Sequence, residues 1–168
     1  AFRASGVPVL PLIESAEGVG LMDAIARAAG VLRLGLGHID LQADLGMSCG
    51  PDEAELAPIR VALVVASRRA GLSAPVDGVT TATTDADVLA RDAQRSRRFG
   101  FGAKLCIHPA QVAGVHQALA PTEVECDWAR RVLAAELAAG GGAFSVDGKM
   151  VDPPVLLLAR KILQLSQR

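Results

Sequence analysis

Two acidic residues each close an apolar, strand-like run: Val9-Leu10-Pro11-Leu12-Ile13 leads to Glu14, and Val31-Leu32-Arg33-Leu34-Gly35-Leu36-Gly37-His38-Ile39 leads to Asp40. The stretch between them has the length of the helix in a βα unit. The spacing therefore predicts that the two carboxylates leave neighbouring parallel strands at the same rim of one sheet. A pair of carboxylates completed by water and substrate oxygens is how proteins usually hold Mg²⁺. A strand-end acid also serves as a helix cap or an arginine partner, and spacing alone leaves those readings open.

A second candidate is Gly100-Phe101-Gly102-Ala103-Lys104-Leu105-Cys106-Ile107-His108-Pro109-Ala110-Gln111. Lys104 at the start of an apolar strand can contact an anion, and His108 at its end, fixed by the following proline, can act as a rim-facing donor. A lone histidine serves equally well as hydrogen-bonded scaffold. His38 stands two residues before Asp40 and can orient that site, whereas His116 has no such neighbour. The third candidate is Gly148-Lys149-Met150-Val151-Asp152-Pro153-Pro154. Asp152 reads first as an N-cap, but it follows a hairpin that can reach a neighbouring subunit.

The elements that must position these residues alternate. Residues 7–13 read as a strand, 18–29 as a helix closed by Gly30, and 31–37 as the next strand, followed by a loop with Gly46, Ser48, Gly50 and Pro51. A long helix is expected over 52–70, with Leu56, Ile59, Leu63 and Val64 on one stripe. Then come a short strand over 74–79, a helix over 85–99 and a strand over 104–107. Strands alternating with helices of this length favour a parallel sheet covered by helices. Four such units are half of a (β/α)₈ barrel. The tail differs: a helix over 122–139 opens on Thr122 with Glu125 as a capping box, Gly140-Gly141-Gly142 breaks it, a hairpin over 143–151 turns at Asp147-Gly148, and Pro153-Pro154 opens a last helix to about residue 164. The division expected is residues 1–120 and 121–168.

The bulk composition limits the class. The chain has 168 residues, 51% hydrophobic content and a formal net charge of -1, the profile of a globular domain or a piece of one. That balance gives no long-range pull toward nucleic acid or an anionic membrane, and Arg68-Arg69 and Arg97-Arg98 read as solvated helix faces. Cys49, Cys106 and Cys126 are odd in number and far apart, which argues against a disulfide framework and for a reducing compartment. No apolar run has the length of a membrane helix, and no secretory signal opens the chain, so the cytoplasm is the expected location. The first residue is not methionine and stands almost inside a strand, so sequence upstream of Ala1 is expected.

Four ordered segments carry a resemblance: Leu12-Ile13-Glu14-Ser15-Ala16-Glu17-Gly18, then Gly35-Leu36-Gly37-His38-Ile39-Asp40-Leu41 with Asp44-Leu45-Gly46, then Lys104-Leu105-Cys106-Ile107-His108-Pro109-Ala110-Gln111, and Gly148-Lys149-Met150-Val151-Asp152. Together they resemble the HpcH/HpaI aldolase and citrate lyase beta subunit family, closest to its citrate lyase beta-like and malyl-CoA lyase branch. The resemblance implies a (β/α)₈ TIM barrel, of which this chain holds the C-terminal half, about four βα units, plus a C-terminal helix-hairpin-helix extension. It implies a homotrimer or homohexamer that uses Mg²⁺ to cleave or form a C–C bond in an acyl-CoA thioester of the citryl-, malyl- or citramalyl-CoA type. By motif position Glu14 and Asp40 match the metal-binding carboxylates. Asp152 matches an acid that one subunit contributes to the next, where it exchanges a proton with the enolate carbon. Lys104, His108 and Gln111 fall in the signature near the substrate.

The chain departs from the family pattern in three places. Ala103 precedes Lys104 where a glycine is usual, His38 stands where a smaller or rigid residue is usual, and nothing matches the first four strands or their substrate-binding arginine. The competing expectations are a truncated, inactive half-barrel serving as a binding or assembly module, and an aldolase acting on free 2-keto acids. The Gly148 to Asp152 segment speaks against the latter.

Overall fold

The computed structural model describes residues 6–140 and 144–167. The described residues divide into two compact units that meet in sequence between Leu119 and Ala120.

The first unit is an α/β fold. Four short strands, β1 (Leu12–Ile13), β2 (Gly35–Leu36), β3 (Val76–Asp77) and β4 (Ala103–Lys104), form one sheet in the order β1-β2-β3-β4 with every pairing parallel. Parallel neighbours need a crossover, and helices supply it. These are α1 (Ala16–Gly20) and α2 (Met22–Ala26), then α3 (His38–Leu45) and α4 (Ala57–Arg69), then α5 (Ala86–Phe99), with α6 (Gln111–Leu119) after β4. Ile13, Leu34 and Leu36 from the sheet side meet Met22, Ala26, Leu41, Leu63 and Ala66 from the helices, and Leu56 and Phe101 complete that core.

Several elements differ from the sequence reading, each for a local reason. The run over 7–13 pairs only at Leu12–Ile13 and through a Val9–Val31 bridge, because Pro8 and Pro11 have no N–H to give to the ladder. Pro11 still accepts from the Gly35 N–H at 2.9 Å. The expected helix over 18–29 is two short helices interrupted at Leu21, in a segment weakened by Gly18 and Gly20. The helix expected over 52–70 begins later, as a 3₁₀ turn at Ala54–Leu56 that leads into α4.

The chief correction concerns Asp40. The strand ends at Leu36, and His38–Leu45 is a helix, so Asp40 lies in a helical first turn rather than at a strand end. Ile39 extended the apolar run in sequence, but it is exposed on α3. Helix α6 was not anticipated either; Gln111 is buried at its start. By contrast α5 agrees with the expected 85–99 because Asp85 marks its start: the carboxylate accepts from the Asp87 and Val88 N–H groups at 3.1 and 3.0 Å.

The second unit follows the sequence reading closely. Helix α7 (Glu123–Ala139) opens on the complete Thr122–Glu125 capping box. Strands β5 (Phe144–Val146) and β6 (Lys149–Val151) form an antiparallel hairpin. Asp147 and Gly148 both have positive φ, as a two-residue type I′ turn requires. Helix α8 (Pro153–Ser166) is capped by Asp152, and Cys126, Ala129, Val132, Val151, Ala159 and Ile162 make this unit's own core. The expected start of the hairpin at Ala143 lies outside the described residues. Among the described residues, no helix is long and apolar enough to cross a membrane.

Candidate active-site rim

Glu14 emerges directly after β1. Ser15, not Glu14, caps α1, its Oγ accepting from the Gly18 N–H at 3.1 Å. Asp44 from α3 accepts the Ala16 N–H at 2.7 Å. With those donors already satisfied, the Glu14 side chain lies over Gly37, the residue that opens α3. A Cβ at Gly37 would stand 2.6 Å from Glu14 Cβ and 2.7 Å from its Oε2, so glycine is what admits the acid there. Asp40 sits in the first turn of the same helix.

Glu14 thus lies against the residue that opens α3, and Asp40 stands in that helix's first turn. Both are exposed, and among the described residues neither accepts a hydrogen bond or ion pair from protein. The described residues hold no group of three or more His, Cys, Asp or Glu side chains suited to a metal. Two exposed, unengaged carboxylates suit a hard cation such as Mg²⁺ that keeps water ligands, not a closed four-ligand zinc site.

Behind this rim lies a buried charge network. Asp77 ends β3 and is fully buried, accepting from Arg60 Nε of α4 at 3.3 Å and from the Ser96 hydroxyl of α5. Burial alone would push the Asp77 carboxyl up. The Arg60 guanidinium, the Ser96 hydroxyl and the Lys104 ammonium outweigh it and hold the carboxyl below the ordinary carboxylate range. Glu53 accepts from both Arg60 and Arg95, the latter at 2.9 Å, and Arg95 also pairs with Asp92 at 3.1 Å. Three cations (Arg60, Arg95, Lys104) face three anions (Glu53, Asp77, Asp92). Such a set is tolerable in the interior only while every member keeps its partner.

His38 joins this network to the rim. It is the first residue of α3 and is buried, with Nε2 3.6 Å from Glu53 Oε1. Its ring lies against Gly78, where a Cβ would come within 2.0 Å of Nδ1. Burial pushes its pKa down, with Glu53 and Asp77 opposing, so the neutral imidazole is favoured.

The other sequence-derived candidates sit apart from Glu14 and Asp40 in their contacts. Lys104 is buried, and its Nζ donates to the Gly78 carbonyl at 2.7 Å. Gln111 is buried as well: Nε2 donates to the Thr80 carbonyl at 2.8 Å, while Oε1 accepts from the Ile107 and His108 N–H groups. Both therefore spend their polar atoms on the loops after β3 and β4. His108 is exposed, with Nδ1 accepting from the Ala110 N–H at 3.2 Å and Nε2 left toward solvent. Asp152, in the second unit, is half-buried and its Oδ1 accepts from the Val155 N–H at 3.2 Å.

Sequence reasoning missed Glu53, Arg60, Asp92, Arg95 and Ser96. A signal was present, since Arg60 interrupts the apolar stripe of α4 and Asp92, Arg95 and Ser96 share the Leu89–Ala93 face of α5. A cleft of about 350 Å³ opens beside this network, between the start of α3, the 49–53 loop, the loop after β3 and the start of α5. Its lining includes His38, Gln42, Glu53, Thr80 and Arg91 but neither Glu14 nor Asp40.

A parallel sheet whose strands are joined by helical crossovers places the first unit in the α/β class. The chain belongs to the HpcH/HpaI aldolase/citrate lyase family, whose sequence profile matches residues 3–109. It is 38% identical over 164 residues to the citrate lyase subunit beta-like protein of Deinococcus radiodurans, covering 96% of this chain and 57% of that protein. It is 36% identical to the citrate lyase subunit beta of Escherichia coli, covering 95% of this chain and 54% of the relative. Among solved structures, CitE from Mycobacterium tuberculosis in complex with magnesium, acetoacetate and coenzyme A superposes with a TM-score of 0.87 at 33% identity, over 96% of this chain and 61% of that one. The chain thus spans about half the length of the curated relatives it matches.

Proposed function

We propose that residues 1–120 are the C-terminal half of a (β/α)₈ barrel, that 121–168 are its C-terminal extension, and that the complete protein is a carbon-carbon lyase. Its substrate would be a hydroxyacyl-CoA thioester of the citryl-, malyl- or citramalyl-CoA type, cleaved reversibly in a Claisen-type reaction. The observation that carries this reading is the convergence of Glu14 and Asp40 on the start of α3 with both carboxylates unengaged. Support comes from relatives named citrate lyase subunit beta and citramalyl-CoA lyase, and from the neighbouring structure bound to magnesium and coenzyme A.

Glu14 and Asp40 would hold the ion. When bound, Mg²⁺ supplies positive charge that stabilises the substrate oxygens as the C–C bond breaks. The chain's own residues do the rest. As the bond breaks, the substrate hydroxyl gives up its proton to solvent and becomes a carbonyl, and Asp152, supplied by a neighbouring copy in a homotrimer or homohexamer, delivers a proton to the carbon beside the thioester carbonyl; in synthesis both transfers reverse. His108 offers its free Nε2 to the substrate at the rim. Lys104 and Gln111 act on the substrate through the loops after β3 and β4, which their hydrogen bonds hold in place. The cytoplasm is the natural location for a chain with three unbridged cysteines, Cys49, Cys106 and Cys126.

The test is calorimetric titration of MgCl₂ into the wild-type chain, Glu14→Gln and Asp40→Asn. Binding by the wild type, weakened at least about tenfold in each variant, is the expected result. Equal binding by all three removes the metal site. Turnover of citryl-, malyl- or citramalyl-CoA by the full-length protein separates an enzyme from an inactive assembly module.

A further inference from the structure

Glu53 is in a backbone conformation that its side chain does not favour. Its φ of 49° and ψ of 40° lie in the left-handed region, and among the described non-glycine residues only Asp147 of the hairpin turn shares a positive φ. A residue held in that region inside a packed unit is held there by its surroundings. For Glu53 these are the Arg60 and Arg95 guanidiniums on its Oε2 and the buried His38 ring on its Oε1. Its backbone is tied too, with the carbonyl accepting from the Leu56 N–H at 3.1 Å.

The geometry extends toward the rim. The buried His38 ring lies between Glu53, 3.6 Å from its Nε2, and Gly78, and it is the residue that begins α3, two before Asp40 and directly after the Gly37 against which Glu14 lies. We propose that Glu53 is a positioning residue: through His38 it locks the first turn of α3, and so fixes Asp40 relative to Glu14. The arginines orient Glu53, and Glu53 packs against the imidazole on the side away from Gly78.

This deepens the reading of Glu14 and Asp40 as metal ligands, and its test has a part that does not depend on that reading. Hydrogen exchange of the backbone amides of residues 41–45 is measured on the full, metal-free chain for the wild type, Glu53→Gln, Glu53→Gly and Asp92→Asn. Glycine relaxes the left-handed backbone while deleting the carboxylate, and Asp92→Asn disturbs the same network through Arg95 and Thr80 without touching His38. Exchange at least tenfold faster in both Glu53 variants, with Asp92→Asn near wild type, supports the proposal. Unchanged exchange in the Glu53 variants overturns it, and so does equal acceleration in Asp92→Asn, which would mark general loosening. Calorimetric Mg²⁺ affinity is then expected to fall about 10- to 100-fold in the Glu53 variants and not in Asp92→Asn. If the wild type binds no Mg²⁺, the metal reading fails while the exchange result still decides the role of Glu53. If the wild type and the Glu53 variants bind alike, the positioning role fails and the metal site stands.

Discussion

At the scale of single residues, two contacts make sharp demands. Gly78 faces the His38 ring so closely that any side chain must displace it. Gly78→Ala is expected to cost about 1–3 kcal/mol, the usual range for overpacking a filled interior. The cost should shrink when His38→Ala is also present, and urea unfolding of the two singles and the double measures the coupling. Asp77 makes the other demand. Its folded pKa lies below its unfolded value of about 3.9, so the unfolded chain binds the extra proton as acid is added. The stability Asp77 contributes is therefore complete above about pH 4 and disappears as pH falls through the depressed folded value. Asp77→Asn should lose about 3–5 kcal/mol at pH 7, because Arg60, left with Glu53 as its one carboxylate, and the buried Lys104 ammonium then carry charge that the Asp77 carboxylate no longer balances. It should also show a shallower loss of urea midpoint between pH 4 and pH 2, and an equally steep acid limb would count against Asp77 as its source.

At the scale of elements, helix starts carry more than stability. Thr122 and Asp152 open α7 and α8 through side-chain hydrogen bonds, and Thr122→Ala should cost about 1 kcal/mol in a urea melt. Asp152 separates two roles cleanly, since asparagine caps a helix about as well as aspartate but cannot exchange a proton as a carboxylate does. Asp152→Asn should leave the urea midpoint nearly unchanged while lowering thioester cleavage by the full-length protein at least about 100-fold. Undiminished turnover would leave Asp152 as a cap alone. Helix α3 is the third such start: it opens on glycine without a side-chain cap, and that leaves its first turn accessible to Glu14.

At the scale of the molecule, the first unit does not cover all its apolar surface. The sheet ends on β1, and Val7, Val9, Leu10, Leu12 and Leu32 around that edge are all more than a third exposed. An open edge flanked by apolar side chains invites pairing with another chain. Sedimentation of the 168-residue chain should thus report a mass above 17.3 kDa, reduced toward that value by Leu12→Lys with Leu32→Lys. Monomeric sedimentation of the unaltered chain would show that this edge does not associate.

Much of the local structure was legible in the sequence. Helices α5, α7 and α8 and the Asp147–Gly148 hairpin announce themselves through caps and turn residues, because capping and turn chemistry act over three or four positions. Local signals of that range survive in a linear string. The start of α3 was not legible, since Ile39 prolongs an apolar run whether it is followed into a strand or a helix. Nor was the network of Glu53, Arg60, Asp77, Asp92, Arg95 and Lys104: a charged residue reads as surface in sequence, and only partners brought together from four elements make its burial tolerable. The sequence by itself determined which acids are present and that Glu14 closes a strand, but not that Asp40 rides a helix. The tertiary structure alone decided that Glu14 and Asp40 share one helix start and that a buried histidine and glutamate stand behind it, because that convergence depends on pairing across the sheet.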